Sequence, residues 1–355
     1  MNLFMTPQQR VMAVLRHETP DCIPFTAYEN KVHRCSTERV LRNRGMCIVA
    51  RTTSYDIHYP NVLITTHGYK DARGKNIIKT TYETPVGTLT DLAEPAGFTT
   101  WKHERVFKSP DDYKALLFMI KDATVTPQYA RAAKLQQDLG EDFLVRDWIS
   151  HEPLQIMQSE YMGIENFCLE WMENRDDVLK LYDAVIELNR VLYKVVAEGP
   201  LETANYGGNV TPSVIGKNVF REYYMPHYHE FTEEMHKYRK YVGVHFDADN
   251  MLIMNDIAET ELDYIEAYDA GMSPPIGKAK EIFGNKVLWI NWPSAWHLYD
   301  PEEVRHRTVE LLCESGGDNI IVGITEDVPE DRWRLNFSAI MDGIEDYHER
   351  REHIT

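Results

Sequence analysis

Four runs in the second half of the chain decide the fold: Tyr241-Val242-Gly243-Val244-His245, Leu262-Asp263-Tyr264-Ile265-Glu266, Lys286-Val287-Leu288-Trp289-Ile290-Asn291 and Asn319-Ile320-Ile321-Val322-Gly323. Each is short, rich in branched and aromatic residues, and free of long polar alternation, as strands buried on both faces are. Helix signals stand between and after them. Asp300-Pro301-Glu302-Glu303 opens a helix that stops at Gly316-Gly317, and a helix follows the last strand. Strands separated by helices pair in parallel through right-handed crossovers.

Working outward, the same alternation extends upstream. Thr203-Ala204-Asn205-Tyr206 precedes a helical stretch near 218–240, and a long amphipathic helix runs from about Arg175 to Glu198. Phe143-Leu144-Val145 reads as a strand ending in Arg146-Asp147-Trp148, and Ser109-Pro110 starts a helix. At the start, Thr6, Pro7 and Gln9 form a capping-box signature, and Ile23-Pro24-Phe25-Thr26-Ala27 reads as a short buried strand. Residues 50–92 break the pattern: Ile77–Tyr82, a turn at Pro85-Val86-Gly87 and Thr88-Leu89-Thr90 predict a β-hairpin excursion. The count and length fit one α/β domain over residues 1–355, a (β/α)8 TIM barrel carrying that hairpin. A doubly wound sheet is the second choice, weakened because neither G-x-G-x-x-G nor G-x-x-x-x-G-K-[ST] occurs.

Composition narrows the function. The 355 residues are 43% hydrophobic and 26% charged, with a formal net charge of −18. That acidity argues against nucleic acid or an anionic membrane surface as partner. No apolar run approaches the roughly 18 residues of a membrane span. The start, MNLFMTPQQR, lacks a basic segment followed by an apolar one, and the five scattered cysteines form no C-x-x-C pair. Both features predict a cytoplasmic protein.

In a barrel, chemistry gathers at the C-terminal ends of the strands. Those ends carry Tyr28-Glu29-Asn30, Asp147-Trp148, Asn205-Tyr206, His245-Phe246-Asp247, Glu266-Ala267-Tyr268, Asn291-Trp292 and Thr325-Glu326-Asp327. His245 and Asp247 are two apart, so in extended backbone they share a side and can hold one cation. Glu266 and Glu326 are candidate third and fourth ligands, a donor set that suits zinc. His245 equally fits a hydrogen-bonded pocket histidine, with Asp247 and Asp249 capping a following helix. His227-x-His229 falls on a predicted helix, where residues two apart diverge. No Ser–His–Asp set or Cys nucleophile signature is present.

The opening Thr6-Pro7-x-x-Arg10-Val11-x-Ala13-x-x-Arg16 … Pro20-Asp21-x-Ile23-Pro24-Phe25 resembles the uroporphyrinogen decarboxylase superfamily. So do the block ending in His245 and Gly316-Gly317 … Pro329-Glu330, and the resemblance spans nearly the whole chain. It implies a (β/α)8 barrel. The decarboxylases carry an arginine-rich motif after the first strand, where this chain has Thr26-Ala27-Tyr28-Glu29-Asn30. The corrinoid-dependent methyltransferase branch looks closer. Its zinc ligands are His-x-Cys after the fifth strand and a Cys near the last. Here His245 matches the histidine, Asp247 takes the first cysteine position, and Thr325-Glu326 lies near the second.

Carboxylates in place of thiolates imply a harder, more acidic zinc, suited to an oxygen substrate. The resemblance therefore implies transfer of a methyl group from a methoxylated, aromatic compound to the Co(I) corrinoid of a partner protein. It implies His245 and Glu266 as catalytic residues and His245, Asp247, Glu266 and Glu326 as the zinc set. Tyr28, Trp148, Tyr206, Tyr268 and Trp292 would line the substrate, and Glu29, Asp147 and Asn291 would orient its hydroxyls. The corrinoid motif D-x-H-x-x-G is absent, which places the cofactor on a separate protein. The alternatives are a metal-free decarboxylase and a non-catalytic barrel that binds a tetrapyrrole or corrinoid.

Overall fold

The computed structural model describes residues 4–97 and 99–352. Eight parallel strands close into a barrel: β1 Phe25–Tyr28, β2 Cys47–Thr52, β3 Phe143–Ile149, β4 Thr203–Tyr206, β5 Tyr241–His245, β6 Tyr264–Tyr268, β7 Val287–Asn291 and β8 Ile320–Ile324. Each pairs with its sequence neighbours, and β8 returns to β1 with Phe25 opposite Val322. The expected (β/α)8 barrel is present. One strand, β2, runs into the start of the 50–92 stretch that the sequence reading assigned to the excursion.

The chain divides into two compact units. One holds the chain up to Ser54, Tyr129–Ile149 and everything from Val196 on; the other holds Tyr55–Gln128 and Ser150–Val195. In the second unit the predicted hairpin is part of a larger sheet. Leu63–Lys70, Asn76–Thr84, Gly87–Ala96 and Thr99–Glu104 form four antiparallel strands, with Thr84 opposite Gly87 at the expected turn.

Alternation along the barrel strands builds the interior. Cys47 and Val49 of β2, Leu144 of β3, Tyr264 of β6, Val287 and Trp289 of β7 and Ile321 of β8 share one buried cluster with Val11, Met12, Val14 and Leu15. Those last four lie on the first helix, Pro7–Leu15, whose start is held by the Thr6–Gln9 capping box. Burying each such side chain contributes about 1.5–3 kcal/mol. The interior is therefore apolar where the strands begin and polar where they end.

A second signal lies behind β7. His297 is 1% exposed, its ring packs on Trp292, and Asn336 Nδ2 donates to its carbonyl at 2.9 Å. Burial pushes its pKa down from 6.5 to about 4. The unfolded chain takes up this proton below about pH 6.5, while the folded chain resists until about pH 4. The contribution of His297 to stability is therefore full above pH 6.5 and falls by about 3 kcal/mol as pH drops to 4. Urea unfolding across that range should show the loss, and His297→Gln should flatten it.

Among the described residues no helix is long and apolar enough to cross a membrane.

Candidate metal centre

The polar end of the barrel is organised around His245, the last residue of β5, whose side chain is 11% exposed. Its two ring nitrogens face different partners. Nδ1 lies 3.1 Å from Glu266 Oε2 and 3.3 Å from the Tyr28 hydroxyl. Nε2 lies 3.3 Å from Glu326 Oε1 and 3.8 Å from Asp247 Oδ2. One donor atom each from His245, Asp247 and Glu326 lies within 4.8 Å of the others. One imidazole nitrogen and two carboxylate oxygens form a three-ligand set of the kind catalytic zinc uses, with a fourth position left for substrate. The carboxylate on the far ring nitrogen is the partner that fixes the orientation of a metal-binding histidine. The donor set fits zinc.

Glu266 stands behind the histidine. It is fully buried in an ion pair with Arg146, both side chains being 0% exposed. Asn205 Nδ2 also donates to Glu266, and the Tyr264 hydroxyl donates to Asn205 Oδ1 at 2.9 Å. Arg146 in turn donates to the Tyr28 hydroxyl at 3.1 Å, and its guanidinium sits 5.3 Å from the Trp289 ring centroid. Strand parity explains this layer. Tyr28, Arg146, Asn205, His245 and Glu266 all share the inward face of their strands with the apolar interior residues.

The charges shape the proton affinities. Burial alone would lower the His245 pKa, but hydrogen bonds to Glu266 and Glu326 and the charge of Asp247 overrule it and hold it up at about 9. Burial also opposes the charge on Glu266, yet Arg146 and His245 keep this carboxyl well below the ordinary range. Glu326 is held down by its bond to His245. Asp247 moves the other way, raised by burial and by the neighbouring Glu326. The negative charge that holds a proton on His245 also attracts a divalent cation.

Two backbone devices place these groups. Gly208 has φ +129, and a Cβ there would lie 2.5 Å from the His245 Cβ, so only glycine lets the segment after β4 lie this close. Ala267 has φ +59, and the β6–β7 register shifts between Glu266 and Tyr268. This bulge reverses the alternation. Glu266 faces in, and Tyr268 turns out to meet Phe283 edge-on.

The bulge and the strand parity sort the predicted substrate residues. Tyr28 joins the His245 layer. Tyr206 packs outward on Tyr228 and Phe231, and Trp292 packs on Trp296 and donates to Thr308 Oγ1 at 3.0 Å. The structure thus brings none of Tyr206, Tyr268 and Trp292 to the cavity beside the trio. Trp148 is half-buried and shares the inward parity of Arg146. Asp147 points outward, accepting from the Ser54 amide at 3.0 Å and from its hydroxyl. Glu29 pairs with Arg51 at 3.2 Å. Asn291 reaches the cavity, but its amide is already engaged. Its Oδ1 accepts from the Thr325 amide at 3.0 Å and its Nδ2 donates to Asp269 at 3.3 Å.

Sequence reasoning overlooked Arg146 and Asp269. Arg146 was detectable. An arginine two residues after Leu144 in an apolar strand must point inward, and a buried cation requires a facing carboxylate. Asp269 enters only through the bulge.

No family model matches the chain, and no curated protein matches it. Among solved structures, a methyltransferase from Methanosarcina mazei aligns with 97% of this chain and 99% of its own, at 12% identity and a TM-score of 0.60. At that identity the likeness is one of fold: both are barrels of this architecture. A pneumococcal exo-β-D-N-acetylglucosaminidase module aligns with 97% of this chain and 90% of its own, at 11% identity and a TM-score of 0.38.

Proposed function

We propose that the chain is a zinc-dependent methyltransferase that moves a methyl group from a methoxylated compound to the Co(I) corrinoid of a partner protein. The observation that carries this reading is the division of the His245 ring, with Nδ1 held by Glu266 and Nε2 turned to Asp247 and Glu326. The barrel it shares with the Methanosarcina mazei methyltransferase supports it.

His245, Asp247 and Glu326 would hold the zinc, which when bound supplies Lewis-acid stabilisation to the oxygen that leaves. The residues around it do the rest. Glu266 fixes the imidazole, and Arg146 and Asn205 fix Glu266. A cavity of about 570 Å³ lined by Asp247 and Glu326 receives the donor. The O–CH3 bond breaks with its electron pair left on oxygen, and the methyl group passes to the acceptor. A porphyrinogen decarboxylase would need guanidinium groups for substrate carboxylates. Arg51 and Arg146 are instead committed to Glu29 and Glu266.

The test pairs elemental analysis with transfer. Protein loaded with zinc and mixed with reduced corrinoid protein should change the cobalt absorbance with methyl ethers. Methylation by methylamines or methylthiols alone would overturn the proposal.

A further inference from the structure

The cavity beside the metal trio has one wall that the trio does not use. Asp269 follows β6 directly after the bulge, is 6% exposed, and lines the cavity with Asp247 and Glu326. It is held rigidly. The Gly271 amide donates to Oδ1 at 2.7 Å and Asn291 Nδ2 donates to Oδ2 at 3.3 Å. The orientation of Asn291 is itself fixed, because its Oδ1 accepts from both the amide and the hydroxyl of Thr325, at 3.0 and 3.1 Å. Asn291 Nδ2 also reaches Ser294 Oγ at 3.2 Å.

The Ser294 amide also donates to Asp269, and since a carboxylate offers about four lone-pair directions, these three donors leave one direction of acceptor capacity. Among the described residues that line the cavity, none is lysine, arginine or aromatic. Lys31, whose charge reaches Glu326, is tied to Asp327. A divalent cation on the trio balances Asp247 and Glu326. The charge of Asp269 is then left to face the substrate.

Resting on the methyl-transfer reading, we propose that Asp269 determines specificity. It selects methyl donors whose head group is uncharged or cationic and donates a hydrogen bond, and it rejects donors bearing a carboxylate. An anionic head group would meet the like charge of Asp269 on a wall that offers no lysine or arginine, the charge of the metal being already balanced by Asp247 and Glu326, whereas a hydroxyl or ammonium would meet an oriented acceptor. Asp269 acts here by contact with the donor and is not a zinc ligand. Its replacement therefore spares metal binding.

Three probes of matched size test this on the zinc-loaded full chain: 2-methoxyethanol, 2-methoxyethylammonium and methoxyacetate. Binding is read by ligand-observed NMR titration, independently of methyl transfer, and zinc content is measured on the same samples. Wild type should bind the ammonium and the alcohol at least about tenfold more tightly than methoxyacetate. Asp269→Asn should keep its zinc, lose about tenfold for the ammonium and gain for methoxyacetate. Equal binding of methoxyacetate by wild type, or an unchanged order in Asp269→Asn, would overturn the proposal and leave the metal assignment standing. Zinc retained with no probe bound would also overturn it. Failure to bind zinc would instead bring down the methyl-transfer reading on which it rests.

Discussion

His245→Ala is expected to lose bound zinc and methyl transfer together while keeping its fold. The imidazole is the only nitrogen donor in the trio, and it lies between the trio and the buried support of Glu266. Loss of an outer-shell partner of a metal histidine typically lowers affinity by about 10–100-fold, and loss of the histidine itself should exceed that range. The fold should survive because the Arg146–Glu266 pair and the Asn205 bond to Glu266 do not pass through the histidine. Zinc titration and far-ultraviolet circular dichroism on the same sample check both halves. A variant that retains full zinc affinity would remove His245 from the site.

The second large effect is on stability. Arg146→Met removes the buried guanidinium and leaves Glu266, at 0% exposure, with His245 and Asn205 as partners, and breaking one side of a buried pair costs about 3–5 kcal/mol. Replacing both partners, as Arg146→Met with Glu266→Leu, should restore most of that loss, since apolar side chains of similar volume substitute well for a buried pair. The double variant should nevertheless bind zinc about 10–100-fold more weakly, because the carboxylate on His245 Nδ1 is gone. Urea midpoints and zinc titrations on the single and double variants separate the two roles. A double variant with recovered stability and wild-type zinc affinity would show that Glu266 does not position the histidine.

Much of this architecture was legible in the residues. Tyr241–His245 and Val287–Asn291 announce themselves because a buried parallel strand leaves a nearly unbroken apolar run. Asp300 and Thr6 mark helix starts because a side-chain acceptor at that point satisfies an otherwise unpaired amide. Placing strand ends on one rim gave four candidate ligands, of which His245, Asp247 and Glu326 converge, whereas Glu266 meets the opposite ring nitrogen of His245.

What escaped the sequence has local causes. The run Met46-Cys47-Ile48-Val49-Ala50 carries the signature of β2, but it adjoins Thr-rich sequence that pairs antiparallel in the other unit. The direction of Tyr268 could not be read, because strict alternation predicts it inward and the left-handed Ala267 turns it out. That same residue delivers Asp269 to the cavity. A strained backbone at a functional site costs about 1–3 kcal/mol and leaves no compositional trace when the residue is alanine rather than glycine. The aromatic substrate wall expected from Tyr206, Tyr268 and Trp292 likewise rested on rim position alone. Parity assigns Tyr206 and Trp292 to the helix-facing side.

The measurement that tests the central claim most directly is zinc titration of the metal-free chain followed by X-ray absorption at the zinc edge. His245, Asp247 and Glu326 predict about one zinc per chain in a shell of nitrogen and oxygen alone, with zinc–ligand distances of about 2.0–2.2 Å. Absence of stoichiometric binding, or a sulfur contribution near about 2.3 Å from the cysteines, would contradict it.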